Sequence, residues 1–396
     1  MQSVDPSNFF RTEADLALSA SRKEKAERNK ELGSPIDLPG KPLSIEIRGN
    51  DLWTAESGAA IRRTNLETGK TLQVYHGHKG PVTSIALLPS SPNFFSGSWD
   101  GTIKTWSSEP KALKASTSAH SDFVKCLKAI PSLGILVSGG SDKVIRFWDI
   151  SNLDSPLVQI GTLSEHTRPV ECLAFDPGST TASSCTLFTA DTMGVVKIWT
   201  LDVNITEGRC RPTLVNQFMD HRTGINDMWY GLGTLWTGST DCTVIMRQYP
   251  TASNGANQFR AITLPHTVKS ILPLSLTPLN EPLVVVGSAD TIVSFDISSP
   301  EDPEQLRELD VHAHDVVGLG FWVKKVESKT GAVALEPWII SASLDGTVRR
   351  WPFKELITPA PAAPLPPKEK SNGKPSSGLT EEEERELNEL LSSDEE

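Results

Sequence analysis

The chain has 396 residues and a formal net charge of -11, from 38 Lys and Arg against 49 Asp and Glu. An acidic chain is a poor general binder of polyanions, because Lys and Arg on phosphates drive that association, while 38% hydrophobic residues can support a folded core. No apolar run approaches the ~18 residues of a spanning helix, and residues 1–20 lack the basic-then-apolar layout of a secretion signal, so the cytoplasm or nucleus is expected.

In chain order, residues 8–32 read first, as a helix. Phe10, Ala14 and Leu18 share a face, Thr12 can cap with Asp15, and Glu24 and Arg28 are an i, i+4 pair. Gly33 is a natural stop. The extension is expected to pack on the repeats that lie beyond it; a partner-binding helix is the alternative.

Next come repeats. Ser96-Gly97-Ser98-Trp99-Asp100-Gly101-Thr102-Ile103-Lys104-Thr105-Trp106 lies directly over Ser138 to Trp148 and over Ser341 to Trp351. Each reads small residues, Asp, a turn, a β-branched alternation, then Trp, with the same Asp-to-Trp interval. A histidine precedes each: His78, His120 and, across an insertion, His312. Each repeat holds short period-2 runs separated by turn residues, as in Val82 to Leu87, Asn93 to Gly97 and Thr102 to Trp106.

This pattern resembles the WD40 repeat. Weaker copies run from His166 through Thr189 to Trp199, from His221 through Thr237 and Asp241, and from His266 through Ser288 and Asp290 to Phe295. A degenerate copy lies between Leu43 and Tyr75, with Trp53-Thr54-Ala55 at the small-residue position. Seven repeats between Lys41 and Phe353 have the ~40–45 residues each of a propeller blade. The resemblance implies an all-β fold, a seven-bladed β-propeller in which neighbouring sheets bury one another's faces. Residues 35–41 or Glu355 to Pro359 would supply the strand that closes the ring.

The resemblance also implies a hydrogen-bonded tetrad per blade. Complete sets are His78, Ser96, Asp100, Trp106; His120, Ser138, Asp142, Trp148; and His312, Ser341, Asp345, Trp351. The fourth repeat has Met193 where Asp is expected and Asp191 displaced by two. The fifth has Arg247 for Trp, the sixth Phe295 and a turn one residue short, and the first neither His nor Asp. Those blades are expected to rest on packing and to be softer.

The ten Trp against three Tyr follow from a repeat with a fixed Trp. The five cysteines form no Cys-x-x-Cys and suit a reducing compartment. Cys126 and Cys172 align with Ser84, Asp227 and Ser270 on inner strands, where small side chains fit; a reactive thiol is the alternative. His76/His78 and His312/His314 are spaced like metal ligands, but a tetrad residue beside a solvated neighbour explains each pair, and no metal or cofactor is expected. No Gly-x-Ser-x-Gly, phosphate loop or His-Glu-x-x-His occurs, and a Ser/His/Asp set repeated blade after blade is a structural pattern. The chain is not expected to be an enzyme.

Propellers of this family recruit partners on the face of the His loops and the turns at Asp. Trp99, Phe123, Arg168, Arg222 and Leu344 are free there for contact. Trp99 and Phe123 are aromatic anchors on adjacent blades; alternatively Trp99 folds onto its neighbour. The Trp-Asp-x-Arg signature of cullin-4 substrate receptors is missing after Trp106, Trp148 and Trp351.

Residues 357–379 form a Pro/Ser/Gly linker. Thr380-Glu381-Glu382-Glu383 opens a short helix with Leu387, Leu390 and Leu391 on one side, before an acidic end whose Ser392 and Ser393 resemble casein kinase 2 sites. That end is a solubilising tail or a motif for a basic or phospho-reading partner. Residues 371–396 hold nine acidic and two basic groups, so the acidity lies largely there. The organisation is therefore an N-terminal helical extension over 1–35, a propeller over 36–356, the linker, and an acidic helix and tail over 380–396. The function expected is a monomeric, non-catalytic scaffold for protein partners, without membrane or direct nucleic-acid contact. Alternatives are an escort for a basic client such as a ribosomal protein or histone, and a ubiquitin-ligase substrate receptor.

Overall fold

A computed structural model of the chain describes residues 12–250, 260–327 and 333–358. Phe10, the linker from residue 359 on, the helix expected from Thr380, and Ser392 and Ser393 lie outside them.

Blade 2 shows how the repeat folds. Its strands are Val82–Leu87, Asn93–Ser98, Thr102–Ser108 and Lys111–Ser118, antiparallel in chain order. The middle two are buried almost throughout, since each face meets another sheet, so they read as runs and not as alternations. The fourth strand shows the exposed face of an edge. Its turn from Ser98 to Thr102 needs Gly101: φ is 74°, and a Cβ there would lie 2.7 Å from the His120 carbonyl oxygen. That close approach ties the turn to the next blade, because Ala119 and His120 N–H both donate to the Gly101 carbonyl, at 2.9 and 3.0 Å.

Among the described residues seven such four-stranded sheets occur. Their first strands are Pro42–Arg48, Val82–Leu87, Val124–Ile130, Val170–Phe175, Ile225–Gly231, Val268–Pro273 and Val316–Glu327. They touch one another in a closed circuit, which makes them the inner wall of a seven-bladed propeller. The core lies in the seams between blades: Phe147 and Val137 of blade 3 cluster with Val170, Leu187 and Trp199 of blade 4. Burying Trp, Phe, Ile and Val there is worth roughly 1.5–3 kcal/mol per side chain, the dominant favourable contribution.

The ring is closed by the N-terminal side. β1 (Ile36–Asp37) is the fourth strand of blade 7, pairing Ile36 with Val348 and Asp37 with Thr347. Leu38 N–H donates to the Gly346 carbonyl at 2.8 Å, the bond that Ala119 makes to Gly101 in blade 2. Glu355 to Pro359 does not close it: Phe353–Ile357 is a short helix, α2, with Leu356 wholly buried and its carbonyl bonded by the Ser294 hydroxyl of blade 6.

The N-terminal helix α1 spans Glu13–Arg28, shorter than residues 8–32. Thr12 and Asp15 form the expected capping box, Asp15 N–H donating to Thr12 Oγ1 at 3.2 Å. Asn29, not Gly33, caps the other end. Gly33 is required for another reason: its φ is 67°, and a Cβ would run into the Trp351 ring. The helix meets the propeller through the polar side chains of Lys25 and Asn29, whereas Ala14 and Leu18 are exposed. Of the apolar face expected to pack, Ala14 and Leu18 are thus left exposed.

Candidate partner-binding face and the tetrads beneath it

Each tetrad is wired by proton direction. In blade 2, Trp106 Nε1–H donates to Ser96 Oγ at 2.8 Å. The Ser96 hydroxyl then has its hydrogen for His78 Nε2 at 2.7 Å, which leaves Nδ1–H to donate to Asp100 Oδ2 at 2.9 Å. Asp100 also receives Lys79 and Thr102 N–H, both at 2.9 Å. Burial pushes the Asp100 carboxyl up, but the bonds from Thr102, Lys79 and His78 outweigh it and hold it at about 2. Burial holds the His78 imidazole below its ordinary value. Blades 3 and 7 repeat the arrangement: His120 lies 2.8 Å from both Ser138 and Asp142, and His312 lies 2.8 Å from Ser341 and 3.1 Å from Asp345. Trp148 and Trp351 complete them at 2.9 and 3.0 Å. Ser96, Ser138 and Ser341 are fully buried and each faces a Trp N–H, so these Ser/His/Asp sets offer a substrate no nucleophile.

The blades expected to lack such bonding divide. Blade 4 is complete: His166 reaches Thr189 at 2.8 Å and Asp191 at 3.0 Å, and Trp199 Nε1–H donates to Thr189 at 3.0 Å. Blade 5 keeps His221, Thr237 and Asp241, and turns Arg247 to Asp220, with both bonds at 2.6 Å, over the Phe218 ring. In blade 1, Arg62 pairs with buried Glu56 at 2.6 and 3.2 Å, and Thr54 donates to the same carboxylate. These three blades, expected to be held mainly by packing, also carry charged or polar groups at neighbouring positions in place of the missing ones. Blade 6 differs most. Ser288 pairs directly with Thr291, so the turn is short, and His266 stays exposed. Its Asp290 is met instead by Lys25 of α1 at 2.6 Å, and Lys25 also pairs with Asp310.

The inner wall carries a second network that the repeat pattern does not announce. Every innermost strand shifts register near its start, as between Val124 and Cys126. The carbonyl beside that bulge accepts from the preceding blade: Thr83 Oγ1–H to Val124 O (2.6 Å), Asn226 Nδ2–H to Val268 O, and Ser270 Oγ–H to Val316 O (2.9 Å). The Cys126 and Cys172 thiols reach Val170 O and Ile225 O at 3.7 and 3.5 Å. Burial raises both thiols well above their ordinary value, the opposite of a reactive thiolate. Asp227, against the same channel, is pushed up to about 6 by burial despite N–H bonds from Ile271 and Met228.

On the face above the tetrads, the Trp99 and Phe123 rings stack across the seam of blades 2 and 3, centroids 4.8 Å apart and planes 18° apart. They remain 43% and 38% exposed. Trp99 does lean on its neighbour, yet onto another exposed ring and not into the core. Arg168 and Arg222 are exposed on the His loops of blades 4 and 5. Leu344 stands apart, half-buried in a groove beside α1. His76 is exposed, and His314 Nδ1 accepts the Asp315 N–H at 2.8 Å.

Comparison with known proteins agrees with this geometry. The family model "WD domain, G-beta repeat" matches residues 69–107, 111–149 and 157–200. An uncharacterized WD repeat-containing protein of Schizosaccharomyces pombe is 28% identical over 99% of this chain and 100% of its own length. Nuclear distribution protein PAC1 of Gibberella zeae is 27% identical over 53% of this chain and 48% of its own, and striatin of Rattus norvegicus is 22% identical over 43% and 24%. The chain thus spans half or less of those last two relatives. His, Ser or Thr, Asp and Trp are joined in four blades of a closed seven-bladed ring, and the chain carries WD40 repeats like those of the WD repeat-containing protein that it matches along its length.

Proposed function

We propose that the protein is a non-catalytic scaffold that holds protein partners on the face of the His loops, with Trp99 and Phe123 as its anchor. The observation that carries this is the stacked, half-exposed aromatic pair. Two large rings left at a polar surface are held flat by each other, so little side-chain entropy is lost when a partner covers them. Arg168 and Arg222 extend the surface with charge that guides approach. Nuclear distribution protein PAC1, striatin and a small ribosomal subunit protein RACK1y carry names that differ from one another, so the shared repeat supports a binding platform and not a single pathway. No helix among the described residues is long and apolar enough to cross a membrane, and the proposal places the scaffold in the cytoplasm or nucleus.

The test is affinity purification of the full chain beside a Trp99→Ala/Phe123→Ala variant. Loss of partners with an unchanged melting curve is expected. A complete partner list from the variant overturns the assignment of this face.

A further inference from the structure

A second surface lies away from the aromatic pair. Between α1 and blade 7 runs a groove of about 590 Å³. Arg22, Lys23, Lys41 and His314 border it, and Leu18 and Leu344 give it apolar walls. We propose that this groove docks an acidic peptide segment of a partner protein, one carrying an apolar side chain among its carboxylates.

Three observations carry the proposal. First, the groove's cations are unmatched while their neighbours are matched. On the same helix Lys25 pairs with Asp290 and Asp310, Arg28 with Asp310 and Lys30 with Glu27. Arg22, Lys23 and Lys41 make no such pair among the described residues. Second, the groove's own carboxylates are committed. Asp15 closes the capping box of α1, and Asp345 receives His312, the N–H groups of Ala313 and Thr347, and the Thr347 hydroxyl. Third, the groove is held open by a fixed support. Asn29 Nδ2–H donates to the carbonyl of Asp310 at 2.8 Å, and Arg349 donates to the carbonyls of Asn29 and Leu32. The helix is thus clamped by its last turn and the loop after it, while Arg22 and Lys23 stand free of the clamp.

His314 reports on the missing charge. It is held below the ordinary imidazole value by partial burial first and then by Arg22; Asp315 opposes them, Lys41 adds to the depression, and Asp345 opposes least. Those are the charged groups facing it from α1, from the strand approach at Lys41 and from blade 7. A carboxylate entering the groove reverses that balance. The apolar walls favour a peptide over a nucleic-acid strand, whose bases would need aromatic platforms that this groove lacks.

The experiment uses the full chain and two synthetic probes: a Glu- and Asp-rich peptide with one central leucine, and its Lys-substituted counterpart. The acidic peptide binds, weakening with added salt, and raises the His314 pKa seen by NMR. Arg22→Glu/Lys23→Glu lowers its affinity roughly tenfold or more. Lys30→Glu, paired outside the groove, does not. Trp99→Ala/Phe123→Ala leaves this binding intact, so the two surfaces fail or stand separately. Equal binding of the Lys-substituted peptide, an unmoved His314, or equal loss in Lys30→Glu overturns the proposal. So does preferential binding of a single-stranded RNA, or binding that appears only after truncation beyond Pro367, which would assign the groove to the chain's own acidic end.

Discussion

Asp191 reaches His166 at 3.0 Å from the strand position that Ser98 occupies in blade 2. The carboxylate sits two residues early in sequence, yet its side chain closes the same tetrad from the end of the strand. It also accepts the Met193 N–H at 2.9 Å, so the turn is anchored as well. Asp191→Ala is therefore expected to cost about 1–3 kcal/mol, the penalty for stranding a buried imidazole and a turn amide. Met193→Ala, at the position where the repeat pattern places Asp, is exposed and should stay within about 0.5 kcal/mol. Urea midpoints of the two variants check this; equal losses would mean that Asp191 is a packing residue only.

Adjacent residues on blade 2 separate the inter-blade bonds from mere smallness. Thr83 donates to Val124 O across the seam, whereas the buried Ser84 hydroxyl has no partner among the described residues. Thr83→Val keeps the shape and removes the donor, and should cost about 1 kcal/mol or somewhat more by leaving a carbonyl unmet. Ser84→Ala removes a hydroxyl that bonds nothing and should be neutral or mildly stabilising. Thermal melts of the pair decide it: if Thr83→Val melts like wild type, the ring of side-chain-to-carbonyl bonds contributes nothing to blade cohesion.

How far the sequence is legible depends on how local each feature is. The tetrads of blades 2 and 3 lie within one repeat at a constant interval, so His78 and Asp100 announce each other. Glu56 and Arg62 are equally local, but they use residue types that the repeat does not, and a pattern search passes over them. The partner of Asp290 comes from 265 residues earlier in the chain. No spacing rule could pair it with Lys25. Ring closure has the same character: Ile36 and Val348 meet only because seven blades bring the ends together. The packed face of the helix is hidden from sequence for another reason. Ala14 and Leu18 suggest burial, while the surface α1 meets offers carboxylates and carbonyls that Lys25 and Asn29 satisfy better.

Lys25 should accordingly control α1. It is mostly buried between Asp290 and Asp310, of which Asp310 is over half exposed, so solvent screening limits the pair to about 1 kcal/mol. Lys25→Met should leave the propeller's melting point nearly unchanged and raise amide exchange along residues 13–28. Lys30→Met, on the exposed Lys30–Glu27 pair, should not. Hydrogen exchange measured by residue compares them. Unchanged protection in Lys25→Met would show that Asn29 and Arg349 alone hold the helix.

The pH dependence of stability has a sign that can be worked out. Burial, as the largest cause, holds His78, His120, His221, His312 and His314 below their ordinary value of 6.5. As pH falls through 6.5 the unfolded chain takes up protons that the folded chain refuses, so stability drops. Asp227, raised to about 6, and Glu46, also raised by burial, act the other way, because there the folded state protonates first. Five groups against two leave a net loss on acidification. A second loss begins near the ordinary carboxylate value, where Asp100, Asp142, Asp241 and Asp345 are all depressed; the share of Asp100 is fully gone only below about 2. Urea midpoints should therefore fall from pH 7 to about 5 and fall further below about 4. Asp227→Asn removes the opposing group raised to about 6 and should steepen the first drop. A midpoint that rises from pH 7 to about 5 would mean that the channel carboxyls, and not the histidines, dominate proton uptake.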